Sequence, residues 1–104
     1  MNSQKIEKLF NELKNDNQIF LNYLKAKFPL FHNSNLFDKD FQYGISGFLE
    51  KKGLHLNYGD VEKLSKLLSD YFIAQGIFIK TSNNGWKLNY QEFTTEKPGD
   101  PFAF

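Results

Sequence analysis

Apolar side chains recur every three or four residues at Val61, Leu64, Leu67, Leu68, Tyr71 and Phe72, while Glu62, Lys63, Ser65, Lys66, Ser69 and Asp70 fall mostly between them. That spacing predicts an amphipathic helix over about 60–75 with its apolar stripe turned to a core. Asp60 is placed to accept first-turn amide protons, Glu62 to face the positive end of the helix dipole, and Gly76 to adopt the left-handed conformation that closes the helix. Beyond Gly76 the period shortens to two. Residues 77–81 are β-branched and aromatic, Ser82-Asn83-Asn84-Gly85 is a turn cluster, and 86–90 alternates again, which predicts a hairpin. A two-residue turn at Asn84-Gly85 sets Thr81 opposite Leu88 and Ile79 opposite Tyr90. Ile77, Ile79, Trp86, Leu88 and Tyr90 would then share the face that packs on the helix, with Lys80, Lys87 and Asn89 on the other.

Upstream, Ser3 can cap a helix in which Ile6, Leu9, Phe10 and Leu13 share a face, and Phe20, Leu21, Leu24 and Phe28 resume the pattern. Helix is expected over about 4–28, either continuous or broken at Asn15-Asp16-Asn17 with Asp16 as a new cap. Residues 29–37 read as a loop held by Leu30, Phe31, Leu36 and Phe37 around a polar centre. Asp38 begins another helix, with Phe41, Ile45, Phe48 and Leu49 on one face and Gly53 as its C-cap. Gly44 and Gly47 inside it each cost about 1 kcal/mol relative to Ala. Their expected use is close packing of a neighbouring helix or a late, bent helix start. Leu54-His55-Leu56-Asn57 alternates briefly and is expected to form a short strand. The reading is one domain over 1–93 and a tail over 94–104, where Pro98 and Pro101 break any regular element.

Composition narrows the chemistry. The chain has 104 residues, 40% of them hydrophobic, which suits one domain with a single core. Twelve are Phe, an aromatic supply large enough to leave some for an interface. The net charge is +1, and all 13 basic residues are Lys. The bidentate contacts by which Arg reads guanine or grips phosphate are therefore unavailable. With no Cys, disulfides, a thiol nucleophile and Cys-ligated zinc are excluded. No long apolar run marks a signal peptide or a membrane span, and a cytoplasmic location is the default expectation.

Candidate catalytic groups are few. His32 and His55 stand alone in sequence, no second His or carboxylate cluster lies at a metal-ligand spacing, and no Ser sits in a recognisable elbow. Neither a catalytic, a cofactor nor a metal site is expected, and the chain reads as non-enzymatic. A phosphate cradle at Gly44 and Gly47 would need a preceding strand and a richer glycine pattern.

The order helix, helix, turn, helix, hairpin over 17–90 resembles the winged-helix superfamily. The closest local likeness is Leu67-Leu68, Gly76-Ile77 and Gly85-Trp86-Lys87-Leu88, a helix ending in Gly-Ile followed by a hairpin returning through Trp-x-Leu. The resemblance implies an α+β fold: N-terminal helices, then a helix-turn-helix of 38–52 and 60–75, then a C-terminal β-hairpin wing with its tip at 81–85. DEP domains share this order. The 53–59 link is longer than a tight helix-turn-helix turn. The segment corresponding to a recognition helix is net negative, with Asp60, Glu62 and Asp70 against Lys63 and Lys66.

Two functional expectations follow. The first is a small regulatory or adaptor module that binds another protein, or a second copy of itself, with Phe93, Phe102 and Phe104 as candidate partner-binding residues. The alternative is a DNA-binding regulator in which Lys63, Lys66, Lys80 and Lys87 share one face.

Overall fold

The computed structural model describes residues 3–91 and 93. In chain order the elements are α1 (Ser3–Asn15), α2 (Asn17–Lys27), β1 (Asn35–Phe37), α3 (Asp38–Lys51), α4 (Tyr58–Ala74), β2 (Phe78–Ser82) and β3 (Gly85–Leu88). The architecture is α+β, four helices against a three-stranded antiparallel sheet of order β1-β3-β2 that ends in a C-terminal hairpin. It is compatible with a small winged-helix-like domain.

The helix ends follow local chemistry. Gly53 (φ 79°) and Gly76 (φ 77°) take the left-handed conformation. After each, an amide reaches back to the last turn: Leu54 N donates to Leu49 O and Ile77 N to Phe72 O, each at 2.9 Å. Both helices thus close with carbonyls satisfied in the manner of a Schellman cap. The α4 start differs from expectation. Asn57 is the N-cap, its Oδ1 accepting from Asp60 N at 2.9 Å, and Asp60 lies inside the first turn with only 5% of its surface exposed. Between α1 and α2 the helical hydrogen bonding runs on through Asp16, whose N donates to Glu12 O and whose O accepts from Phe20 N. Asp16 itself leaves the helical conformation (φ −101°, ψ 26°), so the two helices follow one another with a single-residue interruption.

The core is aromatic. Phe20 meets Phe41, Phe48 and Phe72 at ring-centroid distances of 6.0, 5.2 and 6.4 Å, and Phe41 in turn meets Phe78 and Trp86 at 5.3 and 5.5 Å. One cluster therefore joins α2, α3, α4 and the hairpin. Gly44 is buried where α3 crosses α2: a Cβ there would fall on the Leu24 side chain, and one at Gly47 on the Tyr23 hydroxyl. Close helix approach is the use of Gly44, whereas at Gly47 only the outer end of Tyr23 is met.

Several expectations are corrected. Residues 35–37 are not loop but β1, pairing Leu36 with Trp86 and Phe37 with Gly85. Residues 54–57 form no strand; Leu54 and Leu56 instead pack on the core as extended chain between α3 and α4. The hairpin register is different too. Phe78 faces Leu88, Ile79 faces Lys87 and Lys80 faces Trp86, with a bulge between Lys80 and Ser82 and the loop at Asn83-Asn84. Phe78 is 1% exposed and Ile79 43%, so Phe78 rather than Ile79 enters the core. Gly85 belongs to β3, paired with Phe37 of β1 and Ser82 of β2 instead of forming the turn, and a Cβ there would stand 3.0 Å from Phe37 Cδ1 and 3.2 Å from Leu36 O. The extra residue in β2 absorbs the shift in register.

Candidate functional site

Concave surfaces lie along α4, two of them lined by the candidate lysines. The larger is an open groove of about 800 Å³ between α1 and α4. Ile6, Phe10 and Leu67 form its apolar floor, Glu7, Asn11 and Lys14 line the α1 side, and Glu62, Lys63 and Lys66 the α4 side. At the floor, the Phe10 ring of α1 packs edge to face on Tyr71 of α4 at 6.3 Å and 83°; Phe10 is half-buried and Leu67 is 37% exposed. The Lys14 ammonium lies 4.7 Å from the Phe10 ring centroid and 5.8 Å from that of Tyr71. Lys14 and Tyr71 are both near the C-terminal ends of their helices, so α1 and α4 run in the same sense along the groove.

The second surface is a cleft of about 350 Å³ between the start of α3, the middle of α4 and the hairpin. Lys66 and Lys80 line it with Asp38, Glu62 and Asp70, and Trp86 borders it. Lys66 Nζ lies 3.4 Å from Asp70 Oδ1 one helical turn on. Ser65 and Ser69, expected on the solvated side of α4, are 2% and 5% exposed; Ser69 Oγ donates to Lys66 O. Gln42 is buried here, donating from Nε2 to Asp38 Oδ2 at 3.1 Å.

The lysines proposed from sequence do not share one face. Lys63 and Lys66 line the groove and Lys66 and Lys80 the cleft, but Lys87 pairs with Asn35 and Ile79 on the opposite side of the sheet. The altered register separates Lys80 from Lys87, because neighbouring pairs in a ladder point to opposite faces. Phe93 is not displayed for a partner. It is 2% exposed, meets the Tyr90 ring at 4.8 Å, lies under the Lys25 ammonium, and its carbonyl accepts from His32 N at 2.5 Å. Phe102 and Phe104 lie outside the described residues.

Among the described residues, the two histidines have side-chain neighbours at the surface. His55 is exposed, 3.6 Å from the exposed Glu50 carboxylate. His32 Nε2 lies 3.3 Å from Gln91 Nε2, which acts as donor when that ring nitrogen is unprotonated. Among the described residues no three His, Cys, Asp or Glu gather as a metal site, and no helix is long and apolar enough to cross a membrane.

Sequence does not show the groove, because the apolar stripe of each helix predicts burial along its whole length. Leu67 is the available signal: it sits at the edge of the α4 stripe, where a second helix decides its burial. No family model, curated protein or solved structure matches this chain.

Proposed function

We propose that this chain is a small non-enzymatic protein-interaction module on a winged-helix-like scaffold, and that it holds its partner in the α1/α4 groove. The observation that carries this reading is the groove itself: an apolar floor centred on Phe10 and Leu67, bordered by side chains of both charges. Such a floor gains from being covered, and a rim of mixed charge orients what covers it. Affinity capture with the wild-type chain and with Leu67→Glu tests the site. Leu67 is 37% exposed, so the substitution alters the groove floor without opening the core. A partner retained by the wild type and lost by the variant is the expected result; a partner retained equally by both moves the site away from the groove.

A DNA-binding regulator is the second reading, favoured by Lys66 and Lys80 lining one cleft beside the hairpin. Against it, Glu62 and Asp70 flank the same surface, Lys66 is within ion-pairing distance of Asp70, and Lys87 is on the far side of the sheet. A duplex titration at low and moderate salt separates the two readings, since phosphate neutralisation makes affinity fall steeply with salt. Tight, salt-sensitive binding that is lost in a Lys66→Ala/Lys80→Ala variant would favour the second.

A further inference from the structure

We infer that the occupant of the α1/α4 groove is a second copy of the chain, with the two α1 helices antiparallel about a two-fold axis that passes near Phe10. This rests on the groove being an interaction site, and it adds the identity of the partner. Charge is distributed unevenly along the groove. Because α1 and α4 run in the same sense, their acidic rim residues, Glu7 and Glu62, lie toward one end. Lys14 and Lys66 lie toward the other. Lys63 stands close to Glu62, nearer the middle, and Lys66 shares its charge with Asp70, so the clearest polarity is carried by Glu7 and Lys14.

A two-fold axis lying in the plane of the interface and perpendicular to α1 turns one groove toward the other and reverses this polarity in the facing copy. The acidic end of each copy then meets the basic end of the other, while Phe10 and Leu67 meet near the axis. An isologous interface has to be self-complementary in this way, with residue i of one copy against j of the other and j against i. The parallel alternative would set Glu7 against Glu7 and Lys14 against Lys14. α1 spans 13 residues, about 20 Å, so the contact is at the small end of specific interfaces. A weak dimer follows, with a dissociation constant on the order of ten micromolar or weaker.

Analytical ultracentrifugation of the full chain over a wide concentration range at low salt tests this, with circular dichroism checking the fold of each variant. The wild type should form a dimer that weakens as salt rises. Glu7→Lys and Lys14→Glu should each weaken it by about three- to tenfold, since each converts two symmetry-related attractions into repulsions. The double variant should recover most of the loss, and an equimolar mixture of the two single variants should form a heterodimer. A monomeric wild type, a dimer indifferent to both reversals, or a double variant no better than the singles overturns the inference. If the wild type is monomeric while Leu67→Glu abolishes capture of a different protein, self-association fails and the interaction site stands. If it is monomeric and Leu67→Glu changes no capture, both fail.

Discussion

Gly44 of α3 faces Leu24 of α2 with no room for a methyl group between them: a Cβ at 44 would fall on Leu24 Cδ2 and come within 3.6 Å of the Phe28 ring. Leu24 is 1% exposed and has nowhere to move. Gly44→Ala should therefore destabilise the fold by about 1–3 kcal/mol despite the better helix propensity of Ala. At Gly47 the added Cβ would meet the hydroxyl of Tyr23, the outer end of a half-buried side chain that can swing aside. Gly47→Ala should change stability by less than about 1 kcal/mol, with propensity offsetting the displacement. Urea unfolding of the two variants checks the contrast, and equal effects would contradict it.

The hairpin register makes a sharper comparison. Phe78 stacks on Trp86 at 5.0 Å and 30° and meets Phe72 at 5.0 Å, whereas its neighbour Ile79 is 43% exposed opposite Lys87. Phe78→Ala should cost about 3–5 kcal/mol and Ile79→Ala less than about 1 kcal/mol. The register read from sequence, with Ile79 facing inward, requires Ile79→Ala to be a costly core truncation as well. Thermal unfolding followed by circular dichroism decides between them.

Asn57 caps α4 through Oδ1, with Asp60 N as donor. Asn57→Ala should lower stability by about 1 kcal/mol, and Asn57→Asp should retain the cap because a carboxylate accepts the same bond and suits the helix N-terminus. Placing the cap at Asp60 requires the reverse outcome, with Asn57→Ala silent. Denaturant midpoints of the three proteins measure it.

Phe93 covers the α2 end of the core and draws the 28–34 loop to the chain after β3 through its bond from His32 N. Phe93→Ala should destabilise by about 3 kcal/mol and increase amide exchange at His32. A variant that keeps full stability and protection but loses a binding partner would restore Phe93 to the docking role read from sequence.

By itself, the sequence determined the helices and most of their ends. The stripe of Val61, Leu64, Leu68 and Phe72 and the closures at Gly53 and Gly76 depend on groups within a few residues of one another, so their patterns survive in one dimension. Only the tertiary structure decided whether Leu36 lies in a strand, whether Gly85 serves a turn or a crossing, and which of Phe78 and Ile79 enters the core. β1 is three residues long, too short to show a period, and exists because β3 offers it a ladder of hydrogen bonds. Gly85 pairs with Phe37 in this sheet instead of forming the turn, and in the register that results Lys80 and Lys87 fall on opposite faces. The groove is non-local for the same reason: Leu67 and Phe10 are ordinary stripe residues until α1 and α4 meet and leave part of both uncovered.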